Sequence, residues 1–293
     1  MPLISSCKPG QPEQSPVEWV KKAVSSVLPV MTGREEVGVK FADDWLKVFP
    51  VKPFQMGSEL GNNVMTIRAL FFDVFGTLVD WRGSIAREVR RLGLNVDGEA
   101  FADAWRAEYQ PAMQIIRSGS RGYVKLDTLH RENLDRILPR FGLDAMSEAE
   151  RVALNLVWHR LDAWPDVVEG LKRLRGKFRL APMSNGNISL MADMARHNGF
   201  VWDAVLGSEI ARDYKPKAGV YLAGCAAFDF EPGDCMMVAA HTDDLVAAAA
   251  SGLKTAHIAR PDEFGPGKGE HGPSAPVGFA ARDLLHLAEQ LGA

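Results

Sequence analysis

The chain has 293 residues, of which 46% are hydrophobic and 24% charged, and its formal net charge is -3. This composition is typical of a globular protein, and the small negative charge gives no electrostatic reason to expect nucleic acid or an anionic membrane as a partner. Three cysteines without metal-ligand spacing argue against a disulfide framework and favour a reducing, cytoplasmic location.

The first 64 residues differ in pattern from the rest of the chain. Residues 8–12 are rich in proline and glycine, and two amphipathic stretches of roughly helical spacing follow at 17–28 and 39–49. The pattern of a secretory leader is missing, and no apolar run approaches the roughly 20 residues that span a bilayer. We expect an extension without chemistry, packed on the surface or on a partner, or a segment upstream of a functional start at Met65.

A short apolar run at residues 67–72 predicts a buried strand that ends at Asp73. Gly76 allows the backbone to turn sharply just beyond it. Because ligands bind at the carboxyl ends of strands in open α/β sheets, a carboxylate in this place is a candidate nucleophile. The alternative is that Asp73 only caps the following helix or turn.

Helical periodicity dominates residues 85–164, and strands then alternate with helices to the end of the chain. Helices are predicted at residues 167–175, 188–198, 220–228, 245–251 and 281–291, and strands at 178–183, 201–206, 235–240 and 255–259. This alternation indicates right-handed βαβ units and a parallel sheet. The glycine-rich residues 263–269 lack the spacing of a phosphate-binding P-loop, so we expect a surface loop there.

Two further polar clusters follow in the second half of the chain. Ser184 and Asn185 precede a predicted helix, where a hydroxyl, an amide and free backbone N–H groups suit an anion such as a carboxylate. A plain N-cap is the alternative. Lys215, whose backbone is restricted by Pro216, is predicted to keep a nearby carboxylate ionised. A solvated surface lysine is the alternative here.

A fourth cluster follows the predicted strand at residues 235–240. His241 can act as a base near neutral pH, and Asp244 can orient a water molecule or pair with Lys215. Either residue could instead cap the helix that follows. Four such clusters at strand ends of one α/β chain form a stronger signal than any one of them.

In this order, the four motifs resemble those of the haloacid dehalogenase superfamily, over the chain from Met65 to the C-terminus. The phosphatases of that superfamily carry a second aspartate two residues after the nucleophile, which protonates the leaving oxygen. Here that position is Phe75, which cannot donate a proton, so phosphoryl transfer is disfavoured. The dehalogenase branch has an aromatic residue there, works without metal and carries a helical cap domain after the position of Thr77.

The resemblance to the (S)-2-haloacid dehalogenases implies roles for individual residues. Asp73 matches the nucleophile that displaces halide from C2 and forms an ester with inversion, and Thr77 matches a hydroxyl that positions it. Arg106, next to Trp105, resembles an arginine that faces the departing halide, where a fixed cation stabilises the growing charge. Other matches are Ser184 and Asn185 to groups around the substrate, Lys215 to a lysine beside the nucleophile, Tyr221 to a nearby tyrosine, and Asp244 to the acid that helps water attack the ester.

Two positions depart from that pattern. The dehalogenases have serine and asparagine near the water, where this chain has Ala239 and His241. We therefore expect His241 to take over as the base. A histidine here also resembles the cis-epoxysuccinate hydrolases of the same superfamily, in which the epoxide oxygen needs a proton as it leaves. Some haloacid dehalogenases carry histidine here too, so both substrates stay open.

Together, resemblance and helical periodicity predict an α/β fold with a HAD-like Rossmannoid core at residues 65–82 and 163–293 and a helical cap inserted at 83–162. We expect hydrolysis of small (S)-2-haloacids to (R)-2-hydroxy acids without cofactor or metal, with Phe75 among the substrate contacts. Epoxide hydrolysis ranks second, a metal-dependent phosphatase third, and a catalytically silent ligand-binding member is a further alternative. Members of this branch are often dimers, which allows a homodimer here.

Overall fold

The computed structural model describes residues 67–293, so the amphipathic stretches predicted at 17–28 and 39–49 lie outside the described residues. The strands are Ala69–Phe72 (β1), Arg179–Ser184 (β2), Leu206–Gly207 (β3), Cys235–Ala239 (β4), Lys254–Ile258 (β5) and Phe279–Ala281 (β6). They form one parallel sheet in the order β3-β2-β1-β4-β5-β6, which confirms the predicted α/β fold.

Strand β1 lies in the middle of the sheet, and all four of its residues are buried. A continuous apolar sequence is typical of a strand covered on both faces. Phe72 aligns with Pro182 on β2 and with Val238 on β4, and the amide of Asp73 donates to the carbonyl of Val238 (2.9 Å). The carboxyl ends of β1, β2 and β4 therefore meet at one edge of the sheet, where Asp73 lies.

Residues 81–160, which we call the helical insert, separate β1 from β2. The segments that enter and leave the insert lie side by side. The Asp80 amide donates to the Asp162 carbonyl (2.9 Å), and the Trp164 amide donates to the Leu78 carbonyl (3.0 Å). The helices of the insert are Trp81–Arg91 (α1), Gly98–Ala107 (α2), Tyr109–Arg117 (α3), Leu126–Ile137 (α4) and Glu148–Asn155 (α5), with 3₁₀ turns at Leu138–Phe141 and Leu156–Arg160.

After the insert, the helices are Val167–Arg175 (α6), Ile188–Asn198 (α7), Ser208–Ala211 (α8), Ala218–Ala227 (α9), Thr242–Ala250 (α10) and Leu284–Gln290 (α11). They alternate with the strands as predicted, except that the short α8 was not predicted and precedes α9 without a strand between them. None of the helices within residues 67–293 is both long and apolar enough to cross a membrane.

Most predicted elements differ from the structure by one to three residues at their bounds, and two of the differences have a local cause. The strand predicted at residues 201–206 is reduced to β3, because Asp203 contacts Leu180 of β2 with its side chain (2.8 Å) in place of regular pairing. The helix predicted at 281–291 begins only at α11, where the side chain of Asp283 caps it by accepting from the His286 amide (2.7 Å). The preceding residues form the edge strand β6, which is too short to show an apolar period.

Candidate active site

Asp73 ends β1 and begins a tight turn. Gly76 has a φ of +87°, which a residue with a side chain rarely adopts. Thr77 folds back so that its hydroxyl donates to Asp73 Oδ2 (2.8 Å) and accepts from the Ala240 amide (2.8 Å). The side chain of Asp80, rather than that of Asp73, caps the helix that follows. Asp73 is therefore free of the capping role and points its carboxylate to the edge of the sheet.

One side of Asp73 is formed by the lysine flank, which comprises Lys215, Asp244 and Tyr221. Lys215 is 6% exposed, so it is not a solvated surface lysine. Its Nζ donates to Asp73 Oδ1 (2.8 Å) and to Asp244 Oδ2 (2.5 Å). The Tyr221 hydroxyl donates to Asp244 Oδ1 (2.6 Å). Asp244 lies in the first turn of α10, and both of its side-chain oxygens accept hydrogen bonds from the lysine flank. The amide of Thr242, at the start of that helix, donates instead to Glu270 (3.0 Å).

Burial and charge act in opposite directions on these groups. Burial raises the pKa of Asp73, but the charge of Lys215 and the hydrogen bond from His241 outweigh it and hold this pKa well below its usual range. Burial lowers the pKa of Lys215, but Asp244 and Asp73 raise it above its ordinary value. The pKa of Asp244 is raised, chiefly by burial and also by the charge of Asp73, despite Lys215. Asp73 is therefore ionised at neutral pH, and Asp244 accepts a proton more readily than Asp73 does.

The other side of Asp73 is formed by the histidine flank, which comprises His241, Glu263 and Trp81. The ring of His241 lies between two carboxylates, with Nδ1 3.2 Å from Asp73 Oδ2 and Nε2 2.8 Å from Glu263 Oε2. Trp81 Nε1 donates to Glu263 Oε1 (3.1 Å). Burial lowers the pKa of His241, but Asp73 and Glu263 outweigh it and raise this pKa to about 10.

The base role predicted for His241 concerns the Asp73 ester and stays a prediction, because the arrangement described is that of the free enzyme. At neutral pH the ring is an imidazolium, and each nitrogen donates to a carboxylate. It therefore has no lone pair with which to accept a proton from water while Asp73 is ionised. The histidine also precedes α10 without capping it through its side chain.

Sequence analysis missed Glu263, which lies in the predicted surface loop at 263–269 but is only 2% exposed. Its carboxylate occupies the space beside Gly76, where an added Cβ would lie 2.0 Å from Oε1. Nothing in the local sequence distinguishes this acid from a solvated one in a glycine-rich loop. Residues 264 and 266–268 are exposed, so the surface loop is confirmed there and is wrong for Glu263 and Gly265, which are buried.

A cavity of about 1100 Å³ lies between this edge of the sheet and the helical insert. On the insert side, the guanidinium carbon of Arg106 lies 4.0 Å from the ring centre of Tyr109. Nη1 of Arg106 is buried and has no hydrogen-bond partner among residues 67–293. Such an N–H is costly to leave unpaired, which makes it available to an anionic ligand. Residues that line the cavity include Asp73, Phe75, Trp81, Arg106, Tyr109, Asn185, Lys215, His241 and Asp244.

The remaining predicted site residues lie in different places. Asn185 lines the cavity, and its Oδ1 accepts from the Lys215 amide (2.9 Å), which fixes the lysine backbone. Ser184 is fully buried and accepts from the Gly186 amide (3.0 Å), so it lies behind the cavity wall. Tyr221 contacts Asp244 and does not line the cavity itself. The predicted substrate contacts of Ser184 and Tyr221 stay predictions.

Phe75 is 2% exposed and forms part of the cavity wall. Its ring packs edge-on against Tyr109, His130 and Trp158, with ring centres 6.3, 6.1 and 5.7 Å apart. The position that bears an acid in the phosphatases is therefore apolar and held within an aromatic cluster.

The fold and the site define a hydrolase of the haloacid dehalogenase-like family. Residues 67–252 match the model of that family, and the chain belongs to it. Among named relatives, (S)-2-haloacid dehalogenase 1 of Pseudomonas sp. (strain CBS-3) is 29% identical over 204 residues, which cover 68% of this chain and 88% of that protein.

Two solved structures are more similar in sequence. The defluorinating L-2-haloacid dehalogenase Rha0230 is 46% identical, with a TM-score of 0.74, and the match covers 78% of this chain and 96% of that one. The L-2-haloacid dehalogenase PA0810 is 43% identical, with a TM-score of 0.74 and coverage of 77% and 99%.

Proposed function

We propose that this protein hydrolyses small (S)-2-haloacids to (R)-2-hydroxy acids, with Asp73 as the nucleophile. The observation that carries the proposal is an ionised carboxylate at the cavity wall, held by donors from Lys215, Thr77 and His241. Phe75 supplies an apolar ring where phosphoryl transfer would need a proton-donating acid. The relatives named as 2-haloacid dehalogenases support the substrate class.

In the first step, an oxygen of Asp73 attacks C2 of the substrate from the side opposite the halogen. The new C–O bond forms as the C–halogen bond breaks, the halide takes the electron pair, and C2 is inverted. Arg106 is the cation with an unused, buried N–H at this cavity. A fixed positive charge of this kind favours the transition state, in which negative charge grows on the halogen.

In the second step, water attacks the carbonyl carbon of the Asp73 ester. The acyl C–O bond breaks, the hydroxy acid leaves with one proton of the water, and Asp73 is regenerated as one proton is released. Asp244 accepts the proton of the attacking water in this step, because burial raises its pKa. Ester formation removes the charge of Asp73, and with it one of the two groups that raise the pKa of His241.

The helical insert fits the predicted cap at residues 83–162, which would sequester the substrate over the core at 65–82 and 163–293. Within residues 67–293, no group of three or more His, Cys, Asp or Glu side chains is arranged to hold a metal ion. Metal and cofactor independence, the cytoplasmic location and the homodimer stay predictions.

The first test measures chloride release from (S)-2-chloropropionate in metal-free buffer by the wild type and by Asp73→Asn. Asp97→Asn is the matched control, because Asp97 caps α2 and asparagine caps a helix equally well. We expect release by the wild type and the control only, with all three proteins folded by circular dichroism. Equal release by Asp73→Asn would contradict the role of Asp73.

Epoxide hydrolysis is the second candidate, and the protonated ring of His241 beside Asp73 favours it. This ring could donate a proton to an epoxide oxygen as the C–O bond breaks. A pKa of about 10 makes it a reluctant donor, which is why this activity ranks second. Tartrate formation from cis-epoxysuccinate, without chloride release from 2-chloropropionate, would reverse the order.

A further inference from the structure

We propose that Arg260 is a positioning residue that orients Asp73 from behind the site, through two separate routes of contact. The proposal rests on the proposed function, because it assigns Arg260 to the nucleophile of that reaction. Arg260 is 7% exposed and does not contact the cavity, so any effect on turnover has to pass through other residues.

The first route runs through the turn that follows β1. Arg260 Nε donates to the backbone carbonyl of Thr77 (2.8 Å). The hydroxyl of the same threonine donates to Asp73 Oδ2 (2.8 Å). Arg260 therefore fixes the backbone that carries one of the two donors to this oxygen.

The second route runs through the loop that contains Glu263. The amide of Glu263 donates to the backbone carbonyl of Arg260 (3.2 Å). The Arg260 side chain therefore acts on this loop only by anchoring the main chain of residue 260 to Thr77 and Asp166. Glu263 holds Nε2 of His241 (2.8 Å), and Nδ1 of that ring contacts Asp73 Oδ2 (3.2 Å). Both routes therefore end at Oδ2, while Oδ1 is held by Lys215 on the other flank.

Arg260 is itself fixed by a buried ion pair. Nη1 and Nη2 donate to the two oxygens of Asp166 (2.9 and 2.8 Å), and Asp166 Oδ2 also accepts from the Leu284 amide (2.8 Å). Burial raises the pKa of Asp166, but Arg260 outweighs it and lowers this pKa below its ordinary value. A planar guanidinium can bind a carboxylate with two N–H groups and a carbonyl with a third, whereas an ammonium cannot reproduce this fork.

The test compares Arg260→Lys with the wild type. Lysine keeps a positive charge beside Asp166, so the buried carboxylate is not left unpaired. We expect kcat for chloride release to fall about tenfold, with KM within about twofold, because misorientation of a reacting group slows chemistry more than binding. Arg160→Lys is the matched control, since Arg160 pairs with the buried Glu88 away from the cavity, and we expect unchanged kinetics for it.

A second readout does not depend on the substrate. Arg260→Lys keeps the backbone carbonyl that contacts Glu263 but loses the guanidinium fork that anchors the main chain there. Glu263 should then be held less firmly against Nε2, and the pKa of the His241 ring, followed by NMR, should fall. An unchanged His241 titration would overturn the second route, and an unchanged kcat would overturn the positioning role. Wild type that releases no halide from any 2-haloacid would refute the proposed function, while the titration would still test Arg260.

A double variant separates positioning from general loosening of the fold. If Arg260 acts through Glu263, combining Arg260→Lys with Glu263→Gln should lower kcat by less than the product of the single effects. Fully multiplicative effects would overturn this route. Should Arg260→Lys not fold, Asp166→Asn releases the same fork with Arg260 in place, and the same measurements apply to it.

Discussion

Two cations flank Asp73, and they differ in how firmly their charge is fixed. Lys215 lies between Asp73 and Asp244, and both carboxylates raise its pKa, so it stays charged wherever the site is intact. His241 owes its charge to Asp73 and Glu263, without which burial would favour the neutral ring. The lysine flank thus provides a permanent charge, whereas the histidine flank provides one that depends on the state of the nucleophile.

The largest effect is expected from Lys215→Met, which removes the permanent charge. Turnover should fall by about 1000-fold, because Asp73 and Asp244 are left as two buried carboxylates that repel each other. The free energy of unfolding should fall by about 3 kcal/mol, the cost of breaking a buried pair. Halide release and urea denaturation measure the two effects. Lys172→Met, at a lysine that is 79% exposed and does not line the cavity, is the control, and equal losses in both variants would contradict the prediction.

Glu263→Gln tests the histidine flank, and we expect kcat to fall by about 10- to 100-fold. The raised pKa of His241 stabilises the fold fully below pH 6.5, and this contribution is lost as the pH rises through about 10. Removing the charge of Glu263 lowers that pKa, so the loss should begin at lower pH. Thermal melts between pH 6 and 10 measure it. Glu209→Gln keeps its contact with the start of α7 but loses the ion pair with Lys125 (2.9 Å), and it should keep the wild-type pH dependence of melting across this range.

Gly76→Ala should disturb the histidine flank by pushing against the carboxylate of Glu263. The new Cβ would lie 2.0 Å from Glu263 Oε1, so the carboxylate has to move, and we expect kcat to fall about tenfold. Stability should fall by about 1–3 kcal/mol, because φ is +87° there. Gly93→Ala is the control for strain alone, since its φ is +67° and no atom lies within 4 Å of an added Cβ. Similar kcat losses in both variants would refute the steric argument.

The smallest effect is expected from Tyr221→Phe, which removes one neutral hydrogen bond to Asp244 (2.6 Å). A loss of about 1 kcal/mol would slow turnover by about fivefold. The hydrogen bond favours the ionised carboxyl, so the pKa of Asp244 should rise further and the acidic limb of the kcat profile should move to higher pH. Tyr214→Phe, which removes a contact to the Val124 carbonyl, should leave that limb in place.

The two flanks also differ in how much of them the sequence reveals. Asp73 directly follows β1, and Asp244 lies in the first turn of the helix after β4, so both lie near strand ends that apolar runs can locate. Parallel strands bring such ends to one edge. Lys215 lies between α8 and α9, and its place beside these two carboxylates depends on tertiary packing. Glu263 reaches His241 only because its loop folds back over Gly76, and that contact depends on tertiary packing without a local pattern.

The same reasoning explains the errors in secondary structure. Strand β6 has three residues and pairs only with β5 at the edge of the sheet, so its formation depends on the neighbour more than on its own sequence. The charge state of His241 could not be predicted from the sequence either, because it depends on contacts with Asp73 and with Glu263 of the glycine-rich loop.

The central place of β1 has a consequence for how the protein is made. During synthesis this strand emerges before both of its neighbours, and it pairs with residues as distant as Pro182 and Val238. Asp73 therefore reaches its place in the site only after β4, and all the helices between β1 and β4, have been translated. Assembly of this centre is governed by long-range contacts, which form slowly and leave apolar β1 exposed to aggregation meanwhile.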